Sequence, residues 1–307
     1  MKIRNILLAS SHYHRLASLL LAMAVTASSF ISPTAQLPRK VLDVVFIVDI
    51  TQSMNARDYQ IEGQSIDRLQ AVKQAIQHSL KQLPCGSKVG IGIFAAKDAL
   101  LLFNPIELCE HYSLLNQVVS RLSWRMAWAG DSNIRRGLYS AIGQIAQLED
   151  KPNIVFLSDG EQTTSEQYAA PLEKRSGKVT GLIVGVGGKQ PVRIPKYNDA
   201  NRLTGYWKSN NVGNKKTVQS KTDEDMEYLS QMDETRLRQY ASITKLKIMR
   251  LENPLQLSKT LMNDQYTTTK VQTSDIRWLL ASTALFIMIY PYLFSLIRHK
   301  RLHSTKL

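Results

Sequence analysis

The run Val41 to Ile50 (VLDVVFIVDI) narrows the possible folds more than any other feature of the chain. Its apolar residues do not alternate with polar ones, so both faces of the strand must be covered, as in a central parallel strand. Two further runs, Asn153 to Ser158 and Val179 to Val186, share that character. Amphipathic helices lie between them. Ile66 to Leu83 carries Leu69, Val72, Ile76, Leu80 and Leu83 at helical spacing, and Ile134 to Leu148 carries Leu138, Ala141 and Ile145. A chain of 307 residues, 44% hydrophobic, holds one sizeable domain of this kind with appendages. The expected fold is α/β: a doubly wound, mostly parallel, Rossmann-like sheet over residues 41–262, with one antiparallel edge hairpin.

That hairpin pairs Lys88 to Phe94 with Ala99 to Phe103 about a turn near Lys97. Cys85 and Cys109 are equidistant from Lys97, so a continued register brings them together as a disulfide; if the flanks lose register they are two buried thiols. The polar stretch 188–232 cannot bury much and reads as an insertion leaving the carboxyl end of a strand. The core resumes with a helix at Asp233 to Ser242, a strand at Leu246 to Leu251 and a helix at Pro254 to Met262, followed by a polar linker over 263–277.

Both ends are apolar. Residues 278–297 (WLLASTALFIMIYPYLFSLI) carry no charge and precede Arg298, Lys300 and Arg301, the pattern of a transmembrane helix with the tail 298–307 in the cytoplasm. Residues 1–40 supply Lys2, Arg4 and Arg15, then the apolar stretch Leu16 to Ile31 with Val25-Thr26-Ala27, which fits either a cleaved signal peptide or an uncleaved anchor. Either one exports the domain, which is then expected to be extracytoplasmic. The net charge of +14 is partly this topology. The remaining basic residues form no repeated pattern with aromatics, so nucleic acid is not an expected partner.

Three short segments carry the chemistry. Asp49-Ile50-Thr51-Gln52-Ser53 follows the first strand, Gly130-Asp131-Ser132-Asn133-Ile134 enters the second long helix, and Ser158-Asp159-Gly160 ends another parallel strand. Loops at the carboxyl ends of parallel strands converge on one edge, so these pieces can meet. They offer only oxygen donors, which suits Mg²⁺, or Mn²⁺ or Ca²⁺, and no Cys or His that would suit zinc or copper. Trp124, Met126 and Trp128 lie just ahead of Ser132 as candidate partner-binding residues. Gly185-Val186-Gly187-Gly188-Lys189 lacks the frame of a phosphate loop and reads as a strand exit. His78 and His111 have no evident partners, and no Ser-His-Asp or Cys-His set suggests an enzyme.

These segments resemble the metal-ion-dependent adhesion site of the von Willebrand factor A family: an Asp-x-Ser-x-Ser loop, a Thr in a later loop and an Asp before Gly. The resemblance maps metal ligands onto Asp49, Thr51, Ser53, Ser132 and Asp159, with Thr51 and Ser132 as hydroxyl-keeping departures and Asp131 as a possible extra ligand. It implies a protein-binding role in which a partner supplies an acidic group. The layout is similar to bacterial membrane-anchored members associated with MoxR-type AAA ATPases and sister proteins, including the Bat aerotolerance proteins. Within that group DITQSMN (49–55), LPCGS (83–87), WRMAWAGD (124–131) and GLIVGVGG (181–188) most resemble the methanol-oxidation-cluster branch. That branch implies maturation of a periplasmic client, namely calcium insertion into methanol dehydrogenase; the Bat branch implies an envelope or stress-tolerance scaffold.

Overall fold

The computed structural model describes residues 2–31, 33–61, 63–164, 170–208 and 228–304; side chains are described for residue 13, for 16 to 293 within those ranges, and not in the outer parts of the two terminal helices. In chain order the elements are α1 (Lys2–Ser28), β1 (Thr34–Val41), β2 (Asp43–Asp49), β3 (Tyr59–Ile61), β4 (Gln64–Ile66), α2 (Arg68–Gln82), β5 (Lys88–Ala95), β6 (Asp98–Glu107), α3 (Tyr112–Arg121) and α4 (Ile134–Ile145). They continue with β7 (Asn153–Ser158), β8 (Gly181–Gly185), β9 (Val192–Arg193), β10 (Pro195–Tyr197), β11 (Leu203–Tyr206), β12 (Leu229–Ser230), α5 (Glu234–Thr244), β13 (Lys247–Arg250), α6 (Gln256–Leu261), β14 (Thr268–Asp275) and α7 (Arg277–Ser304).

Two compact units result, one of residues 40–268 and one of the two chain ends, 1–39 with 269–307. In the larger unit six strands run in the order β13-β8-β7-β2-β5-β6, all parallel except β6, which pairs antiparallel with β5. The expected doubly wound sheet with an edge hairpin is therefore present. Val44, Phe46 and Val48 of β2 face a core shared with α2, α3 and α6, whereas Val45 and Ile47 face a second core shared with α4 and α5. Every residue of β2 is buried because helices cover both faces. Each such Val, Ile or Phe contributes roughly 1.5–3 kcal/mol relative to an exposed position.

Local differences from the expected boundaries have local causes. Ile66 ends a small hairpin of β3 and β4, and α2 begins after Asp67, whose side chain accepts the Gln70 N–H at 2.7 Å as an N-cap. Pro254 stands two residues ahead of α6, and the expected linker carries β14, which pairs with β1. The insertion falls partly outside the described residues; its described parts form the pairs β9–β12 and β10–β11.

Cys85 and Cys109 form a disulfide across the open end of the β5–β6 hairpin, with Cα atoms 5.2 Å apart. The turn sits at Ala96–Lys97, and register shifts between Val89 and Gly92 do not prevent the pair from meeting. The bond closes a loop of 24 residues, which in the chain-entropy account restricts the unfolded state by about 3 kcal/mol. Cys85→Ser with Cys109→Ser is expected to lower the unfolding free energy by that amount, read as a lower midpoint in a urea titration. An unchanged midpoint overturns the expectation.

In the smaller unit α1 and α7 pack together. Among the described residues no helix is long and apolar enough to cross a membrane, which corrects the expectation of a transmembrane helix at 278–297. The helix itself is there, but its described side chains end at Leu293, and the stretch from Trp278 includes Ser282, Thr283, Tyr290, Pro291 and Tyr292. The remainder of the expected span and the tail lie outside the described side chains.

Candidate metal centre

Because β2, β7 and β8 run parallel, Asp49, Ser158 and Gly185 all stand at one edge of the sheet. Asp49 is fully buried, and each of its oxygens is held. Oδ1 accepts the Thr51 N–H at 2.9 Å and the Thr51 hydroxyl at 2.7 Å; Oδ2 accepts the Ser158 hydroxyl at 2.6 Å. Thr51 Oγ1 lies 3.3 Å from Ser53 Oγ, so Asp49, Thr51 and Ser53 form one cluster of oxygens as expected from the alternation. Ser158 joins this cluster to the third segment, since its Oγ also accepts the Gly160 N–H at 3.0 Å.

Asp159 is fully buried too. Its Oδ1 accepts the Glu161 N–H at 3.0 Å, and its Oδ2 accepts Arg68 Nη1 at 2.9 Å. The same nitrogen lies 3.4 Å from the Ser53 carbonyl oxygen, which brings the first and third segments to one guanidinium. Arg68, at the first position of α2, has no exposed surface and also binds Asp58 through Nε and Nη2 at 2.9 and 2.8 Å.

Ser132 approaches from the other side of β2. Asn133 N–H donates to the Ala96 carbonyl at 2.6 Å, and Asn133 caps α4 by accepting the Arg136 N–H at 3.0 Å. Gly137 permits this placement: a Cβ there would lie 2.1 Å from the buried Phe94 ring on β5, so any side chain would push α4 and its leading loop outward. Thr163, four residues after Asp159, donates its N–H to the Ser132 carbonyl at 3.0 Å and accepts the Ser132 N–H at 2.8 Å. The Ser132 loop is thus tied to the Asp159 loop. Ser132 Oγ is buried with no hydrogen-bond partner. A buried hydroxyl without a partner costs about 1–3 kcal/mol unless something else receives its oxygen. Asp131, by contrast, is exposed.

Burial and one neighbouring charge set the electrostatics. Burial, and then the charge of Asp159, push the Asp49 carboxyl up to about 7 against the hydrogen bonds from Ser158 and Thr51. Burial and Asp159 likewise push Glu161 up to about 7, opposed by Ser230, the Gln231 N–H and Arg68. Arg68 binds Asp159 and Asp58, while Asp49 and Glu161 both feel the charge of Asp159; ionised together the four carboxylates outnumber the one buried guanidinium, an excess of negative charge that a hard cation would offset. Among the described residues no group of three or more His, Cys, Asp or Glu could hold a metal. The donor chemistry here is different: two carboxylates and hydroxyls, with one hydroxyl oxygen unclaimed, which fits an oxygen-coordinated divalent ion.

Around this edge the tryptophans part company. Trp124 is half-buried, its ring 6.5 Å from that of Tyr197 on the insertion and 4.5 Å from the Arg125 guanidinium. Trp128 is 49% exposed and Met126 42%. Sequence reasoning missed Arg68, Asp58, Glu161, Thr163 and Ser230, and placed Ser158 in the third segment without giving it a role. Arg68 left a trace: it falls on the same helical stripe as Val72, Ile76 and Leu80, where a charge must find a buried partner.

Comparison of the sequence with curated proteins gives no match. Among solved structures, BatB from Bacteroides thetaiotaomicron is similar with a TM-score of 0.54 and 19% identity, covering 72% of this chain and 95% of that one. An aerotolerance-related membrane protein from Bacteroides fragilis gives a TM-score of 0.52 at 18% identity, covering 73% and 98%. At these identities the likeness establishes the shared fold. Residues 44–162, which contain all five candidate ligands, match the family model of the von Willebrand factor type A domain.

Proposed function

We propose that this domain is a metal-dependent protein-binding module and not an enzyme. Asp49, Thr51, Ser53, Ser132 and Asp159 would hold a divalent cation, Mg²⁺ or else Mn²⁺ or Ca²⁺. The observation that carries the reading is the unpartnered, buried Ser132 Oγ on a loop tied to Asp159, beside carboxylates with more negative charge than Arg68 offsets. When bound, the ion supplies an electrophilic position that a partner's carboxylate can fill. The protein's own residues fix the loops, exclude water from Asp49 and Asp159, and present Trp128 and Met126 as apolar anchors beside the site.

The partner is a protein with an acidic group, and the role is a scaffold of the Bat type in the bacterial envelope. MoxR-type ATPases and sister domains are the partners that reading brings. The reading of a methanol-dehydrogenase client and calcium insertion rests on four stretches of sequence alone, and no contact of the fold adds to it. Membrane association is supported by the apolar faces of α1 and α7, where Leu16, Trp278, Leu285 and Phe286 are 58–66% exposed. With the domain in the periplasm these faces would lie against lipid.

Mn²⁺ titration followed by electron paramagnetic resonance tests the site. The full-length protein is expected to bind, and Ser132→Ala to weaken binding about tenfold or more, corresponding to about 1.4 kcal/mol. Equal affinity in the two proteins, or none in the unaltered chain at millimolar ion, defeats the assignment.

A further inference from the structure

Arg68 does more than neutralise Asp159. Its Nη1 donates to Ser230 Oγ at 2.6 Å, and its Nη2 to the Ser230 carbonyl at 3.3 Å. Ser230 lies on β12, the strand by which the insertion returns to the core, and is fully buried. The next residue donates its N–H to Glu161 Oε1 at 3.0 Å, and the Asp233 N–H donates to the Asp159 carbonyl at 2.8 Å. Where the insertion leaves β8, the Gly188 N–H donates to Asp58 Oδ2, the oxygen that also receives Arg68. One buried guanidinium therefore fastens both roots of the insertion to a candidate metal ligand.

We propose that Arg68 is a positioning residue coupling the metal centre to the 188–232 insertion, so that cation binding at the site and the set of the insertion's roots change together. A cation drawing on Asp159 alters the charge that Arg68 faces. The guanidinium cannot adjust to Asp159 without shifting its planar fork of bonds to Ser230 and Asp58. Coupling of this kind is reciprocal: a partner that grips the insertion changes the affinity for the ion by the same factor. This inference rests on the metal reading above.

Two readouts on the full-length protein separate the two. Mn²⁺ paramagnetic resonance reports binding. Hydrogen exchange of the Gln231, Met232 and Asp233 amides, with and without saturating Mg²⁺, reports the insertion's roots. The expected result is binding accompanied by a change of about fivefold or more in exchange at these amides. In Ser230→Ala, a mild change that leaves the Arg68–Asp159 pair in place, binding persists while the exchange response drops to near zero; in Arg68→Lys, which keeps the charge but loses the fork, the exchange response per ion bound drops likewise, whatever the affinity. A silent insertion in the unaltered protein despite Mn²⁺ binding overturns the coupling alone, as does a full response in both variants. Absence of Mn²⁺ binding overturns the metal reading and the coupling with it.

Discussion

Asp49→Asn is expected to make the domain more stable in chelator at pH 8 and to abolish its response to Mg²⁺. The carboxyl titrates near 3.8 in an unfolded chain and at about 7 in the fold, first because it is buried and then because Asp159 is charged. The folded state therefore holds the proton more tightly, and stability without metal falls as the pH rises from about 4 to about 7. Above that window the penalty is complete, at most roughly 4 kcal/mol for a shift of this size. Asn removes the charge and keeps most bonds. Its Oδ1 can accept from Thr51 as the carboxylate does, and its amide can donate to Ser158 Oγ, which has a lone pair to spare beside the Gly160 N–H. Glu161 adds a slope of the same sign in both proteins and cancels in the comparison.

Mg²⁺ acts in the opposite direction on the unaltered protein, because the ion binds the ionised carboxyl that folding disfavours. At a hundred times its dissociation constant it adds about 2.7 kcal/mol and flattens the pH slope. In Asp49→Asn the affinity is expected to fall at least a hundredfold, about 2.7 kcal/mol, and the gain disappears. Thermal melts across pH 4–8, in chelator and in Mg²⁺, read all of this. The idea fails if the variant melts lower than the parent in chelator at pH 8, or if Mg²⁺ raises both equally.

The parts of the fold that read directly from sequence are those where one local rule decides. Val41 to Ile50 announces a strand covered on both faces because no other environment accepts that run, and the flanking helices follow from their stripes. The site was legible as three segments because parallel strands place their exits at one edge, and Asp49, Thr51 and Ser53 do cluster there. What stayed hidden depends on contacts distant in sequence. Arg68 and Asp159 are 91 positions apart and Arg68 and Ser230 are 162 apart. Neither partner carries a local mark of the other beyond a charge on an apolar stripe. The β1–β14 pair was missed for the same reason, since neither polar strand has an alternation that betrays its mate.

Gly181→Ala is expected to cost more than any other small substitution in the sheet, on the order of 4–5 kcal/mol, a size that requires a named structural cause. Gly181 opens β8 opposite Ile154 of β7, with φ at +146°. That angle alone costs an L-residue about 1–3 kcal/mol. A Cβ would also stand 2.0 Å from the Ile154 carbonyl oxygen and 2.7 Å from its nitrogen, and these are backbone atoms that cannot rotate aside. Relief requires β7 and β8 to part at their amino ends. The Ile154 N–H would then lose the Thr180 carbonyl it meets at 2.9 Å. A loss of this size approaches the whole margin of an ordinary domain and corresponds to a fall in melting temperature of more than about 10 °C. Since β7 carries Ser158 and Asp159 at its far end, residual folded protein is also expected to bind Mn²⁺ more weakly. A melting temperature within about 2 °C of the parent would mean that the two strands can separate there without penalty, and that the tight register between them does not fix the metal loops.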